Sequence, residues 1–509
     1  FLRMWQEVTK ARLLLGCKSR EEQILSNSKW IPYNKGGDYR KWYGNNSYVV
    51  NWANDGFEIK ENTKQNYPQL GENLGWKISN EKYYYKKGIT WSGVSSGNFS
   101  CRRYEEGFIF DSGANGLFAY EDDNSYYLAG ILNSNLGNYI LKMINPTINT
   151  GSGTLNQVPI IMNLSKKPVV IKLVLECIEL SKIDWDSFET SWDFEKHPLL
   201  YGNSAQIAFE NWQKESERRF YHLKTNEEEL NRIFIDIYGI QNELTPEVED
   251  KDVTIRKADL ERDIKSFISY AVGCMFGRYS LDVSGLAYAG GKWDESKYTT
   301  YTPDKDNSIL ITDEEYFGND IVGRFVEFVK YVYGKETLEE NLDFIANALG
   351  NKGDTSRGII RNYFLNDFFK DHCSTYSVTG SGKRPIYWLY DSGKQNGFKA
   401  LVYMHRYTAD TTGTVRVDYL HKMQKIYMSE IDRMIDMAEN SNNAREVAQA
   451  EKRKEKLVKQ LKETKEYDEK IAHLAISRIA IDLDDGVKVN YEKVQTGQDG
   501  KKLSILAKI

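Results

Sequence analysis

The sequence has few cysteines and no cysteine pattern that would build a disulfide framework or a zinc site. Its five cysteines are scattered over 509 residues, and none belongs to a Cys-x-x-Cys pair. An odd number of isolated cysteines predicts reduced thiols, as in cytosolic proteins. The six histidines form no His-x-x-x-His pair, so the residues give no reason to expect a bound metal.

Long apolar runs and a leader sequence are also missing. No run of about 18 apolar residues occurs, which argues against a membrane-spanning helix. The chain begins at Phe1 without a Met or a signal peptide, and its first five residues already have the composition of folded sequence. We therefore expect the C-terminal portion of a larger cytoplasmic protein.

No recognisable catalytic motif is present. The loop that clamps a flipped adenine has only a partial match at Asn145-Pro146-Thr147, which lacks the second proline and the aromatic residue. Gly380-Ser381-Gly382-Lys383 lacks the first glycine and the hydroxyl residue of a phosphate-binding loop. Asp38 with Glu58-Ile59-Lys60 fits a metal-dependent nuclease only through a spacing that any charged chain of this length produces by chance.

Length and composition predict a soluble protein of several domains. A chain of 509 residues suggests about three to four domains. The net charge of -5 excludes a globally basic DNA-binding protein, but a local basic face is compatible with it. The 34 tyrosines and 11 tryptophans suit cores, interfaces and nucleic-acid surfaces alike.

The stretch from Gly88 to Ile160 carries the clearest functional signal. A segment rich in serine, glycine, arginine and aromatic residues precedes a helical pattern and a Val-Pro-Ile strand. Lys86-Lys87 and Arg102-Arg103 bracket the serine-rich part, where short hydroxyl side chains can contact phosphates or base edges. Either arginine could make a bidentate contact with guanine. A solvated hairpin with ordinary surface charge explains the same residues equally well.

A second basic and aromatic segment, residues 33–43, has the same two interpretations. Neither segment contains a residue that we expect to bind a cofactor or a metal or to act in catalysis. The candidate DNA-binding side chains are Lys35, Arg40, Lys41, Lys86, Lys87, Trp91, Ser92, Ser95, Ser96, Arg102 and Arg103.

Apolar spacing predicts an α+β protein in five parts. Helices are expected at 126–143, at 206–238 with Gly239 as the C-cap, and at 417–438 and 444–478 around a polar break. A hairpin is expected within 383–406, and a turn feeding a strand or extended tail at 482–491. The predicted parts are a β-rich target recognition domain with a truncated start (1–200), a helical spacer (201–290), a mixed α/β domain (291–415), a long antiparallel, coiled-coil-like helical hairpin (416–480) and a C-terminal tail (481–509).

Several of these segments resemble a known DNA-reading module. Residues 89–160 resemble the target recognition domain of type I restriction specificity subunits and of fused methylase-specificity proteins. The segments that carry this resemblance are Ile89-Thr90-Trp91, Arg103-Tyr104 with Gly107-Phe108, Leu128–Leu136, Asn145-Pro146-Thr147 and Val158-Pro159-Ile160.

Further segments narrow the resemblance to one family. Residues 29–52, 191–199, 383–389 and 482–491 are similar to the C-terminal portion of the BREX-type adenine-specific DNA methyltransferase, a component of bacterial phage defence. Residues 1–8 resemble a point inside that family's recognition region. The resemblance covers nearly the whole chain, and it places the family's methyltransferase domain upstream of Phe1.

The resemblance implies a bacterial, cytoplasmic protein that recognises double-stranded DNA. In the full-length family, the methyl group passes from S-adenosylmethionine to adenine N6, and the partners would be the upstream methyltransferase domain and other defence components. We expect this chain alone to bind no cofactor and to have no methyltransferase activity. The alternatives are the specificity half of a single-chain type II restriction-modification enzyme and an interaction scaffold that does not bind DNA.

Overall fold

The computed structural model describes residues 1–95, 97–111, 113–350, 353–378 and 382–509. The candidate Ser96 and part of the glycine-rich segment at Gly380 and Ser381 therefore lie outside the described residues. The chain forms two compact units, which are treated separately below. Unit 1 comprises Phe1–Glu195 and Glu210–Asp259, and unit 2 comprises Lys196–Phe209 and Leu260–Ile509. The five predicted parts remain a prediction.

Unit 1 contains a four-stranded sheet in the order β1-β3-β2-β6 and a three-stranded sheet in the order β5-β4-β7. Strands β2 and β6 are parallel, and the other neighbours are antiparallel. In the second sheet, Trp91 of the central strand lies opposite Cys101 on one side and Asn115 on the other. The strands are β1 (Leu2–Met4), β2 (Trp30–Asn34), β3 (Tyr48–Asn51), β4 (Gly88–Ser92), β5 (Cys101–Tyr104), β6 (Ile109–Phe110) and β7 (Ala114–Leu117).

Helices cover the second sheet and build the larger core of unit 1. The core joins Ile89 and Trp91 of β4 to buried side chains of α3, α4, α6 and the later turns of α7. Helices α3 and α6 approach closely at Gly130, where a Cβ would lie 3.1 Å from Val174 and 3.2 Å from Val170. The helices are α1 (Arg20–Ser26), α2 (Ala53–Asn66), α3 (Asp122–Asn133), α4 (Asn135–Ile144), α5 (Ser152–Leu155), α6 (Lys167–Asp186) and α7 (Ala205–Tyr238).

Unit 2 is mainly helical around a three-stranded sheet in the order β11-β12-β8. Its strands are β8 (Ile309–Leu310), β9 (Ser377–Val378), β10 (Gly382–Lys383), β11 (Tyr387–Asp391) and β12 (Lys399–Tyr403). Its helices are α8 (Leu260–Phe276), α9 (Ile321–Tyr333), α10 (Leu338–Leu349), α11 (Ser356–Asn366), α12 (Phe368–Thr375), α13 (Thr411–Thr414), α14 (His421–Asn440), α15 (Ala444–Ser477) and α16 (Gly486–Lys493). Within the described ranges, no helix combines the length and the apolar composition needed to cross a bilayer.

Most of the long helical patterns predicted from the sequence are present. Helix α7 ends before Gly239, which has a φ of +66° as a C-cap glycine requires. Helices α14 and α15 flank the predicted polar break and run antiparallel, because Gln424 Nε2 donates to the Thr464 carbonyl at 3.1 Å. The pattern at 126–143 forms two helices instead of one. Ser134 interrupts it and caps α4 by accepting a hydrogen bond from the Gly137 amide at 3.1 Å.

The segment 482–491 is helical, so the predicted strand or extended tail is wrong. A short 3-10 turn (Leu483–Asp485) leads directly into α16. The alternating Val-Lys-Val sequence resembles a strand, but Val487, Asn490 and Val494 are all fully buried. Their spacing of three and four residues places them on one helical face, and burial of that face decides the structure.

Candidate nucleic-acid interface

The two basic and aromatic segments predicted from the sequence lie side by side in unit 1. The loop between β2 and β3 (residues 35–47, the β2–β3 loop) crosses the end of β4, where Ser92 Oγ accepts from the Gly37 amide at 3.0 Å and donates to the Gly37 carbonyl at 2.9 Å. Further along, the Trp42 amide donates to the Cys101 carbonyl at 3.0 Å, and the Arg103 amide donates to the Trp42 carbonyl at 2.8 Å. The segments therefore form one hydrogen-bonded surface.

Glycine allows the β2–β3 loop to approach the sheet this closely. Gly36 has a φ of +84°, and a Cβ on it would lie 3.1 Å from the Gly113 carbonyl oxygen. Gly37 has a φ of +142°, a conformation that other residues rarely adopt, and a Cβ there would lie 2.7 Å from Asn45 Nδ2. The Gly36-Gly37 pair thus sets the path of the loop across β4.

Lys41 anchors the β2–β3 loop and is not an exposed cation. Its side chain is 4% exposed, and its Nζ forms an ion pair with Glu227 of α7, which is 3% exposed. The same carboxylate accepts a hydrogen bond from Trp42 Nε1 at 2.6 Å. The Lys41 amide also donates to Thr254 Oγ1 at 3.1 Å. Lys41 therefore fixes the loop from inside the unit.

Arg102 and Arg103 lie inside unit 1, so the predicted base contact by either guanidinium is not available in this structure. Arg102 is 2% exposed and donates from Nη1 to the Arg40 carbonyl at 3.4 Å; burial lowers its pKa to about 10. Arg103 is 4% exposed and donates to Asp122 Oδ1 at 2.7 Å and to Ser125 Oγ at 2.5 Å. Both strengthen the β5–α3 side of the unit instead.

Trp91 and Arg40 also have internal partners. Trp91 is 1% exposed, and its indole N–H donates to the Thr150 carbonyl at 2.8 Å. Arg40 is half-buried, with its guanidinium 5.0 Å from the Trp185 ring and 3.4 Å from an Asp184 oxygen. Tryptophan and arginine in these positions hold the surface together.

Three lysines of the candidate set remain exposed. Lys35 Nζ lies 4.8 Å from the centre of the Tyr48 ring, and Lys86 Nζ lies 5.3 Å from the centre of the Tyr83 ring. Lys87 Nζ lies 2.5 Å from Asp122, which offsets part of its charge. These lysines are placed to contact phosphate groups.

Asp122 and the serines set the local polarity of this surface. Burial alone would raise the pKa of Asp122, but hydrogen bonds from Lys87 and Arg103 outweigh it and hold the pKa below its usual value. Ser92 and Ser95 are half-buried, and the Ser95 amide donates to the Ile148 carbonyl at 2.9 Å. Ser95 Oγ therefore lies at the surface with capacity for a further hydrogen bond.

Sequence reasoning missed a cleft beside the three-stranded sheet. It has a volume of about 810 Å³ and brings together residues from 79–83, 110–118, 128–132 and 152–160, with Trp91 behind them. Asparagine and aromatic side chains line it, including Tyr83, Asn115 and Phe118. No motif joins these segments, so only the fold could have revealed the cleft.

Neither the thiols nor the acidic residues form a chemical centre in the part of the chain that the structure describes. No three His, Cys, Asp or Glu side chains there are grouped so that they could hold a metal ion. All five cysteines are free and buried. Burial raises the pKa of Cys101 to about 12 and that of Cys373 to about 11, which keeps both as neutral thiols.

The chain is similar to two curated bacterial proteins, whereas no family model matches it. It is 45% identical over 505 residues to the adenine-specific methyltransferase PglX of Lacticaseibacillus casei (strain Zhang), covering 97% of this chain and 41% of that protein. It is 35% identical over 524 residues to the adenine-specific methyltransferase BrxX of Escherichia coli O9:H4 (strain HS), again covering 97% and 41%. The chain therefore spans about two fifths of the length of these relatives, and nearly all of it corresponds to one portion of proteins named adenine-specific methyltransferases.

Proposed function

We propose that this chain is the DNA sequence-recognition portion of a bacterial phage-defence adenine-N6 methyltransferase of the BREX type. The observation that carries the proposal is the union of the β2–β3 loop with β4 and β5, which places Lys35, Lys86 and Lys87 on one hydrogen-bonded framework. Similarity to methyltransferases over 97% of the chain supports the same assignment. Duplex DNA would be the partner, and S-adenosylmethionine would be used by the rest of the protein.

The mechanism of recognition follows from the division between anchored and exposed side chains. The buried contacts of Lys41, Trp42 and Arg103 fix the loop and the sheet in one arrangement. The exposed lysines of this framework then meet phosphates and set the orientation of the duplex, because phosphate contacts position a protein without reading sequence. Ser95 and the neighbouring loop backbone would approach the base edges.

Duplex binding across a salt series tests the proposal. Affinity for a labelled duplex of about 30 base pairs, followed by fluorescence anisotropy, should fall linearly in log-log form with salt, with a slope of about -0.9 for each phosphate neutralised. Lys35→Gln and Lys86→Gln should each reduce the slope by about one phosphate contact. Lys64→Gln is the matched control, since Lys64 of α2 pairs with Glu61 and Glu72 and lies outside the proposed surface.

The salt series also separates the proposal from a scaffold that does not bind DNA. An affinity that stays constant across the series would contradict the phosphate-contact surface. Equal slopes for the Lys64 control and the two lysine variants would remove the β2–β3 loop and Lys86 from the interface. In that case the DNA-binding surface, if any, would lie elsewhere on the chain.

A further inference from the structure

The cleft beside the three-stranded sheet has the size and lining of a ligand site. Its volume of about 810 Å³ falls within the range of about 300–1,000 Å³ typical of small-molecule pockets. All of its lining residues belong to unit 1. The proposed phosphate contacts make no use of this cleft.

Aromatic rings form one wall of the cleft. Tyr83 and Phe118 stack with their ring centres 4.7 Å apart and an interplanar angle of 15°. Phe110 packs against Phe118 with ring centres 5.7 Å apart. Lys82 and Lys86 place their Nζ atoms 5.1 and 5.3 Å from the centre of the Tyr83 ring. The wall therefore combines π surfaces with two cations, which is the combination that binds a base and its phosphate.

Amide side chains supply the polar groups of the cleft. Asn115 of β7 is half-buried, and Asn80 and Asn156 are exposed at the rim. Within the residues that the structure describes, these three side-chain amides take part in no intramolecular hydrogen bond. Each amide offers two donors and one acceptor, which match the hydrogen-bonding edge of a nucleobase, as in the paired contact of asparagine with adenine.

Aliphatic side chains form the remaining lining of the cleft. Leu128 and Leu132 come from α3, and Leu155 comes from α5. A flat apolar surface of this kind favours a planar ring over a flexible or highly charged ligand. The volume is too small for a duplex, and a paired base already uses the edge that the amides would contact.

We propose that this cleft binds a single unpaired nucleobase, packed against the wall of Tyr83 and Phe118 and hydrogen-bonded by Asn115. This inference rests on the proposed function for its source of bases, since DNA bound at the lysines would bring nucleotides to the cleft. A free mononucleotide presents the same chemistry. The two sources differ in the backbone, so an experiment can distinguish them.

The test uses the whole 509-residue chain and two probes. The first probe is the set dAMP, dCMP, dGMP and TMP, with deoxyribose 5-phosphate as the control without a base, followed by saturation-transfer NMR. The second is a labelled duplex with one unpaired adenine bulge, compared with the fully paired duplex by anisotropy. We expect base-dependent binding in at least one arm, and the arm that responds identifies the source.

Variants tie the binding to the cleft. Tyr83→Leu and Asn115→Leu should weaken base-dependent binding between about fivefold and about a hundredfold, the range that follows from losing one base–aromatic stack. Tyr120→Leu and Asn62→Leu are matched controls, because both residues are exposed and lie outside the cleft. Thermal unfolding of each variant checks that the fold is retained.

The outcomes separate this inference from the proposed function. Equal binding of bulged and paired duplexes, together with no mononucleotide binding, would overturn the cleft even where salt-dependent duplex binding persists. Base-dependent binding that the control variants lose as strongly as Tyr83→Leu would also overturn it. Mononucleotide binding that depends on Tyr83 and Asn115, in a chain that does not bind duplex DNA, would support the cleft and contradict the recognition role.

Discussion

Replacing Glu227 by leucine tests whether a buried ion pair holds the β2–β3 loop. Glu227 and Lys41 are 3% and 4% exposed, and the same carboxylate accepts the indole N–H of Trp42 at 2.6 Å. Removing one partner of a buried pair leaves an uncompensated charge and costs about 3–5 kcal/mol. We expect Glu227→Leu to lower the free energy of unfolding of unit 1 by about 3–5 kcal/mol.

The double variant Lys41→Met/Glu227→Leu separates the charge from the packing. It removes both charges, so it should be more stable than Glu227→Leu by about 2 kcal/mol or more, although Trp42 loses a hydrogen bond worth about 1–3 kcal/mol when its donor stays buried. A double-mutant cycle reads the coupling energy of the pair directly. The same double variant should retain the salt slope of duplex binding, since Lys41 is an anchor and not a phosphate contact.

Urea unfolding followed by tryptophan fluorescence suits this measurement. Nine of the eleven tryptophans belong to unit 1, so the signal reports mainly on that unit. The exposed pair Lys251–Glu249, with side chains 73% and 71% exposed, is the matched control and should contribute about 1 kcal/mol or less. Additive effects of the two single substitutions, or a cost for Glu227→Leu no larger than the control, would refute the anchoring role.

Three further predictions concern the loop, the sheet and a buried histidine. Gly37→Ala should cost about 1–3 kcal/mol in thermal unfolding because of the φ of +142°, whereas Gly97→Ala, which meets no atom within 4 Å, should be nearly neutral; equal costs would contradict the strain. Arg103→Met should lower the unfolding free energy of unit 1 by about 1–3 kcal/mol through its buried hydrogen bonds, measured by urea unfolding, and unchanged stability would contradict this structural role. Burial holds the pKa of His372 at about 3, against 6.5 in an exposed chain, so the unfolded state alone binds this proton as the pH falls from about 6.5. The stability of unit 2 should then fall by about 1.4 kcal/mol per pH unit for this residue, and His372→Asn should flatten the dependence measured by circular dichroism at pH values from about 7 to about 5; an unchanged slope would contradict the prediction.

Elements with strong periodic patterns could be predicted from the sequence, and weakly patterned ones could not. Helices α7, α14 and α15 each repeat apolar residues over many turns, so local pattern and tertiary burial agree. Helix α16 has only eight residues, and the burial of Val487 and Val494 that determines it comes from distant parts of unit 2. A pattern of that length does not distinguish helix from strand.

The candidate site was predictable as a region but not as a set of contacts. Charged side chains in a short strand usually face solvent, which made Arg102 and Arg103 attractive readers of DNA. All four residues of β5 are buried, however, because the β2–β3 loop covers one side and α3 the other. The hydrogen-bond acceptors of the two arginines come from Arg40, Asp122 and Ser125, and no local pattern reveals such partners.

The division between anchors and contacts changes how loss of DNA binding should be interpreted. An anchor such as Lys41 positions the β2–β3 loop, so its substitution lowers affinity by disordering the surface while the phosphates contacted by the remaining lysines stay the same. A contact such as Lys35 adds to the salt slope, because its removal leaves one more counterion on the DNA. Affinity alone cannot separate the two classes, since both variants bind less tightly. The salt slope measured together with the unfolding free energy does separate them: an anchor changes stability at constant slope, and a contact changes the slope at constant stability.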